Sequence, residues 1–226
     1  MSLANKTALC GMKTLYIQTY KTAKFCMLGE PENCETVWFV LHGYGQLADY
    51  FIRKFEVLDN GKNLIVAPEG LSRFYVKGYS GRVGASWMTK EERLQEIEDY
   101  VNYLDTLYQY LNISGKKVIV LGFSQGAATA SRWVAASKYL QNPVLVLYGS
   151  VFPPDFPFWQ QTFKNAPILV YGNEDEFLSE KDICSHTDFL SQNHIDYRII
   201  RYEGKHDIYP EVLLKINNTI SQNVNK

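Results

Sequence analysis

A serine between two glycines is the first feature of the sequence that could do chemistry. The pentapeptide GFSQG spans residues 122–126 and has Ser124 at its centre. It follows an apolar run at residues 117–122 and leads into an alanine-rich helical pattern, so it lies at a predicted turn from strand to helix. Such a turn exposes the serine hydroxyl, and the helix N-terminus offers free N–H groups to a developing anion. We therefore predict that Ser124 is a nucleophile.

A serine nucleophile needs a base to take its proton. Three histidines follow Ser124 in the sequence. His186 and His194 fall within or at the end of a helical pattern, where exposed side chains are expected. His206 instead lies in a polar loop directly after the predicted strand at residues 196–202. Functional groups collect at the carboxyl ends of parallel strands, so His206 is the predicted base.

A carboxylate must orient the base, and Asp175 is the predicted one. It lies in the loop GNEDE, just past the predicted strand at residues 167–171. The order serine, acid, histidine along the chain is the one associated with a serine at a strand-to-helix turn. Glu174 and Glu176 flank Asp175 and remain alternative partners for the histidine.

The tetrapeptide HGYG at residues 42–45 supplies the second half of an anion site. It directly follows the first continuous apolar run of the chain. In this arrangement the backbone N–H groups of Tyr44 and Gln125 are the expected donors to an oxyanion. Gly43 leaves the backbone open to the reacting carbon, and His42 is expected to hold the loop together by hydrogen bonds.

These residues require a sheet that gathers strand ends at one edge. Short apolar runs alternate along the chain with longer amphipathic patterns, as in an α/β protein with a mostly parallel sheet and helices on both faces. The predicted strands cover residues 14–20, 23–28, 36–41, 63–67, 117–122, 143–148, 167–171 and 196–202. The predicted helices cover residues 47–58, 90–112, 125–140, 179–193 and 209–222. The first two strands alternate polar and apolar residues, which predicts antiparallel strands at the N-terminal edge.

Length and composition limit the classes of protein to which this chain can belong. Its 226 residues are expected to form a single domain, residues 1–226, and 23 basic against 24 acidic side chains leave a net charge of −1. This balance excludes the basic surface of a nucleic-acid binder and is compatible with a homodimer. No apolar run reaches the ~18 residues of a membrane span. The N-terminus lacks the apolar stretch of a signal peptide, so a cytoplasmic location is expected.

The cysteines give no sign of a metal site or of a disulfide framework. None of them forms a Cys-x-x-Cys pair, which excludes zinc-ribbon and thioredoxin-like sites. In a chain with a full hydrophobic core, scattered thiols are typically reduced packing residues. The four are Cys10, Cys26, Cys34 and Cys184.

Together the motifs resemble those of an α/β-hydrolase. Within that superfamily, LHGYG at residues 41–45, GFSQG at residues 122–126, Asp175 and His206 are similar to the small phospholipase/carboxylesterase family. That family includes the acyl-protein thioesterases and bacterial carboxylesterases. The resemblance runs from about residue 36 to the C-terminus. It implies an α/β-hydrolase fold without a large cap domain, hydrolysis of carboxylic esters or thioesters, and no cofactor.

The resemblance also implies which residues meet a substrate. Trp87 and Met88 occupy the stretch that lines the acyl pocket in the similar enzymes. Phe152 and Leu178 follow strand ends, where they would narrow an apolar slot. A slot of that kind favours short to medium acyl chains.

Three functions remain open on the sequence alone. The first is a serine esterase that forms an acyl-enzyme on Ser124, with acyl thioesterase and lysophospholipase as variants of the same chemistry. The second is a small peptidase or amidase, although the sequence has no added propeller or cap to select peptides. The third is a catalytically silent scaffold that acts as a binding module, against which the intact Ser124, Asp175 and His206 argue. We expect the esterase.

Overall fold

A mostly parallel sheet lies at the centre of the structure, a computed structural model that describes residues 12–157 and 163–222. Within those residues the strands are, in chain order, β1 (Phe25–Leu28), β2 (Thr36–Leu41), β3 (Asn63–Pro68), β4 (Ser72–Tyr75), β5 (Val83–Ser86), β6 (Lys117–Phe123), β7 (Val144–Tyr148), β8 (Ile168–Gly172) and β9 (Arg198–Tyr202). The seven-stranded sheet has the order β1-β3-β2-β6-β7-β8-β9, and β4 and β5 form a separate antiparallel pair. Strand β1 is antiparallel to β3, and the other neighbours in the large sheet are parallel.

Helices cover both faces of this sheet. They are α1 (Ala48–Phe51), which continues as a 3-10 helix (Ile52–Leu58), α2 (Arg93–Tyr110), α3 (Gln125–Ala136), α4 (Glu180–Gln192) and α5 (Pro210–Ser221). In strand β2, Val37, Phe39 and Leu41 belong to a core that includes α2, α3 and α4. Trp38 and Val40 belong to a second core that includes α1 and α5. Because both faces of the strand are buried, its sequence is a continuous apolar run.

The register of the central strands places the two glycine-containing motifs side by side. In the parallel pair of β2 and β6, Leu41 is opposite Gly122. The loop HGYG and the turn GFSQG therefore leave the same edge of the sheet from adjacent strands. Strands β7 and β8 continue the sheet on the other side of β6, so the loops that follow them open at this edge as well.

The predicted fold class, a mostly parallel sheet with helices on both faces, is confirmed. Each strand predicted from residue 23 onward forms within two residues of its predicted bounds. The helix predicted at residues 47–58 forms as α1 followed by the 3-10 helix. The pair of β4 and β5 was not predicted, because its short segments lack a continuous apolar run.

The strand predicted at residues 14–20 is wrong. Residues 12–24 form neither helix nor strand, and the side chains of Leu15 and Ile17 are 84% and 91% exposed. The alternation in this segment fits a strand, but a strand needs a neighbour with free backbone groups. Strand β1 takes the free edge of β3 instead, with Phe25 opposite Pro68.

Two further sequence predictions concern membranes and thiols. Over residues 12–157 and 163–222, no helix combines the length and the apolar character that a bilayer crossing requires. Cys26, Cys34 and Cys184 carry free thiols, as predicted. Cys10 lies outside the described residues.

Candidate active site

Ser124 lies at a strained turn between β6 and α3. Its backbone angles are φ 54° and ψ −118°, a conformation that residues with a side chain rarely adopt. The Ser124 N–H donates a hydrogen bond of 2.9 Å to the Tyr148 carbonyl, which fixes the turn against the end of β7. The structure therefore forms the predicted strand-to-helix turn at Ser124.

The two glycines of the turn are required because no side chain fits at either position. A Cβ atom on Gly122 would lie 2.2 Å from the carbonyl oxygen of Gly126, and one on Gly126 would lie 2.1 Å from that of Leu41. Both contacts are with backbone atoms, which cannot move aside as a flexible side chain can. The start of α3 thus packs directly on the ends of β6 and β2.

His206 and Asp175 are hydrogen-bonded to each other. The Nδ1 atom of His206 lies 2.7 Å from Oδ2 of Asp175, and the Asp175 carboxylate is completely buried. Its other oxygen accepts a hydrogen bond of 2.9 Å from the Phe177 N–H. The flanking Glu174 and Glu176 are exposed, so the partner of the imidazole is Asp175.

The imidazole lies next to the serine turn. Its ring centroid is 4.7 Å from that of Phe123, the residue before Ser124, and 4.9 Å from that of Phe177. A Cβ atom on Gly149 would lie 3.0 Å from His206 Cε1, so the loop after β7 also packs against the ring. In the described part of the chain no hydrogen bond joins the Ser124 hydroxyl to His206. Catalytic hydrogen bonds of this kind are often long until a substrate binds.

His42 has the structural role that the sequence predicts. Its ring is fully buried, Nε2 accepts a hydrogen bond of 2.9 Å from the Gly70 N–H, and Nδ1 lies 2.7 Å from the Gly43 carbonyl. Because Nε2 must be the acceptor, Nδ1 carries the proton. Burial lowers the pKa of His42, which keeps the ring neutral.

The loop after β2 runs against the turn at Ser124. A Cβ atom on Gly43 would lie 3.3 Å from Cβ of Ser124 and 3.1 Å from Cδ1 of Phe123. The Gly43 N–H donates to Oε1 of the Gln46 side chain at 2.8 Å, so it is already satisfied. Among the described residues, the N–H groups of Tyr44 and Gln125 donate no hydrogen bond. These are the two donors that the sequence predicts for an oxyanion.

The Gln125 side chain clamps the segment that follows β5. Its Nε2 atom donates to the Met88 carbonyl at 2.9 Å and to the Ser86 hydroxyl at 3.2 Å. Its Oε1 atom accepts from the Trp87 N–H at 3.2 Å. Sequence reasoning assigned a role only to the Gln125 backbone, because the spacing within GFSQG does not reveal what a long side chain meets.

Trp87 supports the loop after β2 from within the core. The side chain is 2% exposed, its ring centroid lies 5.0 Å from that of His42, and its indole N–H donates to the His42 carbonyl at 2.8 Å. Met88 is half-buried and receives the Arg132 guanidinium at its sulfur, 3.4 Å away. Direct contact of Trp87 and Met88 with a substrate stays a prediction.

Phe152 belongs to the same hydrophobic core as Trp87, and Leu178 packs against that core. Phe152 and Phe156 line a cavity of about 640 Å³ together with His186, whose Nε2 accepts a hydrogen bond of 3.3 Å from the Phe152 N–H. Burial lowers the pKa of His186 to about 4. Leu178 is half-buried against the core and is not among the described residues that line this cavity.

An ion pair fixes the loop that carries Phe152. Arg132 of α3 is 8% exposed and binds both carboxylate oxygens of Asp155, at 3.1 and 2.8 Å. Arg93 of α2 reaches the same carboxylate at 2.7 Å. The Arg132 hydrogen bonds hold the pKa of Asp155 well below its usual range. No group of His, Cys, Asp and Glu within the described ranges is arranged to hold a metal ion.

Comparison with known proteins gives one family match and several related structures. The sequence model of the family described as serine hydrolase (FSH1) matches residues 35–211. The crystal structure of esterase PE8 is 20% identical with a TM-score of 0.68, and the alignment covers 89% of this chain and 99% of that one. Acyl-protein thioesterase 2 of Zea mays is 18% identical with the same TM-score and the same coverage.

A third related structure is a carboxylesterase from Mesorhizobium loti. It is 14% identical with a TM-score of 0.69, and the alignment covers 88% of this chain and 94% of that one. At such identities the likeness concerns the fold alone. No curated protein sequence matches this chain.

Proposed function

Since the chain belongs to the serine hydrolase (FSH1) family and has the α/β-hydrolase fold, we propose that it hydrolyses carboxylic esters through an acyl-enzyme formed on Ser124. The observation that carries this proposal is the 2.7 Å contact of His206 with the buried Asp175, next to a serine held at a strained turn. A surface loop without a catalytic role has no reason to retain a buried carboxylate bound to a histidine or a strained backbone at a serine. The proposed acyl groups are short to medium in length.

The proposed roles follow from what each atom can donate or accept. Asp175 as a carboxylate can only accept, so Nδ1 of His206 donates to it and Nε2 is left to take the serine proton. Ser124 Oγ then attacks the ester carbonyl. His206 returns the proton to the leaving alcohol, and afterwards it activates the water that releases the acid and regenerates the serine.

The negative charge on the carbonyl oxygen needs donors during both steps. The N–H groups of Tyr44 and Gln125 are proposed for this role, since both lie beside the serine turn and neither has a partner among the described residues. Each donor of this type typically stabilises the transition state by about 3–4 kcal/mol. The positive end of α3 points at the same place and adds to the effect.

The test of this proposal is the removal of the nucleophile. We expect Ser124→Ala to lower kcat/KM for p-nitrophenyl butyrate on the order of 10⁴-fold or more, because triad members act as one unit. Wild-type protein should also be labelled by a fluorophosphonate probe, with mass spectrometry placing the label on Ser124. Ser191→Ala, which changes an exposed serine of α4, is the matched control and should keep both properties.

Two outcomes would overturn the proposal. Turnover by a folded Ser124→Ala protein at the wild-type rate would exclude Ser124 as the nucleophile. A folded wild-type protein that neither reacts with the probe nor hydrolyses any ester would favour the silent scaffold. Circular dichroism of each variant supplies the check on folding.

A thioester is the second candidate substrate. The specific reason is that one structure of this fold, from Zea mays, is named an acyl-protein thioesterase. A matched ester, thioester and anilide of one acyl group distinguish the alternatives by their kcat/KM values. Preference for the thioester would correct the leaving group, and efficient cleavage of the anilide would support an amidase.

A further inference from the structure

A cavity of about 630 Å³ opens beside the loop that follows β2. Gly45 and Gln46 of that loop form one wall, directly after the proposed donor Tyr44. The second wall comes from α1, the residue before it and its 3-10 continuation, and the third comes from the end of the β4–β5 connection and the first residue of β5. The lining residues of these two walls are Leu47, Tyr50, Phe51, Lys54, Arg82 and Val83.

The cavity adjoins the proposed catalytic residues on two sides. A Cβ atom built on Gly43 would lie 3.2 Å from Gln46 Oε1 and 3.3 Å from Ser124 Cβ, so the Gln46 amide and the serine meet at one point. On the other side, Nζ of Lys54 donates to Oδ1 of Asp207 at 2.7 Å, and Asp207 is the residue after His206. A substrate whose carbonyl lies at Ser124 can therefore extend into the cavity.

Both charged residues that line the cavity are cations. They are Lys54 and Arg82, and the described lining includes no Asp or Glu. The ammonium of Lys54 is partly compensated by Asp207. The guanidinium of Arg82 is exposed and forms no ion pair within the part of the chain that the structure describes. The cavity consequently presents an excess of positive charge.

The remaining lining is mostly apolar. Leu47, Phe51 and Val83 contribute aliphatic and aromatic surface, and Tyr50 adds a ring that carries the Arg53 guanidinium 5.5 Å from its centroid. The cavity thus combines an apolar interior with cationic groups. A group that fits such a place has an apolar body and an anionic end.

The geometry points to a preference for esters that carry an anionic group, such as a carboxylate, at the end of an apolar segment next to the scissile bond. This inference rests on the proposed esterase function and specifies its substrate class. The anion would be recognised by Arg82 and Lys54, and the apolar segment by Leu47 and Phe51. A planar guanidinium pairs with a carboxylate through two parallel hydrogen bonds.

The test compares p-nitrophenyl hydrogen adipate with its neutral methyl ester, after subtraction of uncatalysed hydrolysis. We expect wild-type kcat/KM to be about tenfold higher for the anionic ester, as one charge-assisted hydrogen bond provides. In Arg82→Gln the ratio of kcat/KM for the anionic ester to that for the neutral ester should fall towards one. In Arg82→Lys, which keeps the positive charge, the ratio should recover most of its wild-type value. Lys77→Gln removes a cation from the same β4–β5 connection outside the cavity and is the matched control, which should keep the wild-type ratio.

A second pair of substrates locates the anion. The acetate ester of a carboxyethyl-substituted phenol is compared with its carboxamide, which puts the charge on the leaving group. Preference for the charged member of this pair alone assigns the cavity to the leaving group, and preference for the adipate alone assigns it to the acyl group. Either result supports the inference, provided that Arg82→Gln removes the preference.

The failure of the inference can be separated from that of the esterase function. Wild-type protein that hydrolyses the neutral and anionic esters equally well, or whose ratio is unchanged by Arg82→Gln, overturns the inference and leaves the esterase intact. Protein that hydrolyses none of the four esters overturns both. A preference that survives at high salt would also contradict the inference, because exposed charges are screened there.

Discussion

Gln125 contributes both its backbone and its side chain to the candidate site. The backbone N–H at the start of α3, the proposed donor to an oxyanion, has no acceptor among residues 12–157 and 163–222, whereas the amide group binds Ser86, Trp87 and Met88. Those partners precede Gln125 by 37 to 39 residues along the chain. The side chain therefore ties the segment after β5 to the turn at Ser124.

We expect Gln125→Ala to lower the free energy of unfolding by about 1–3 kcal/mol, since the Trp87 N–H and the Met88 carbonyl lose their partner. The value of kcat/KM should fall by about tenfold, well short of the Ser124→Ala loss, because the proposed backbone donor remains. Urea unfolding and ester hydrolysis measure the two effects. Gln109→Ala, at an exposed position of α2, is the control and should change stability by less than about 0.5 kcal/mol. An equal free energy of unfolding for Gln125→Ala and Gln109→Ala would contradict the stabilising role of the Gln125 side chain.

At the residue scale, the sequence singles out polar candidates for the site more sharply than apolar ones. Ser124, Asp175 and His206 were predicted because the expected chemistry needs a particular residue type after a particular strand. The structure brings His206 into contact with Asp175 beside the turn at Ser124. Trp87 was predicted to line a substrate pocket, and this contact stays a prediction; in the structure its ring packs against His42. An aromatic residue after a strand fits a pocket wall and a core equally well, so its type and position do not distinguish the two.

The elements differ in how far local sequence determines them. Central strands such as β2 and β6 are buried on both faces, so their apolar runs identify them without knowledge of their neighbours. The segment at residues 14–20 and the pair of β4 and β5 depend on which partner is within reach, and no local pattern contains that information.

The contact of α3 with the sheet leads to a prediction about glycine. We expect Gly126→Ala to destabilise the protein by about 3 kcal/mol or more, because its Cβ would lie 2.1 Å from a backbone oxygen. Gly61→Ala is the matched control: its φ of 75° disfavours a side chain, but nothing lies within 4 Å of the new atom. It should cost only about 1 kcal/mol. Urea unfolding monitored by tryptophan fluorescence measures both, and a Gly126→Ala variant no less stable than Gly61→Ala would refute the packing argument.

Over the whole molecule, stability depends on keeping two buried histidines neutral. His42 is the first residue of the loop after β2, and His186 of α4 faces the loop after β7. Burial lowers the pKa of both, to about 4 for His186. Between pH 6.5 and about 4 the unfolded chain binds protons that the folded chain does not, so stability present above pH 6.5 is lost as the pH falls.

The contribution of His186 can be isolated by substitution. Its lowered pKa should account for about 2 kcal/mol of the stability lost between pH 7 and pH 5. We expect His186→Gln to be less stable than wild type at pH 7 but to lose about 2 kcal/mol less on acidification. His194→Gln, which replaces an exposed histidine, should leave the pH dependence unchanged. Parallel pH profiles for wild type and His186→Gln would show that His186 is not buried in its neutral form.

The two outer strands of the seven-stranded sheet bear on how copies of this chain behave at high concentration. Strand β1 offers only four residues to an incoming strand, and β9 at the opposite edge carries Arg198 and Arg201. Short edges and charged side chains are the means by which natural sheets prevent edge-to-edge pairing between molecules. The central strands lie between these two edge strands. Their apolar runs would favour amyloid-like stacking if they were exposed. The protein thus carries its protection against intermolecular sheet growth at the two places where such growth would begin.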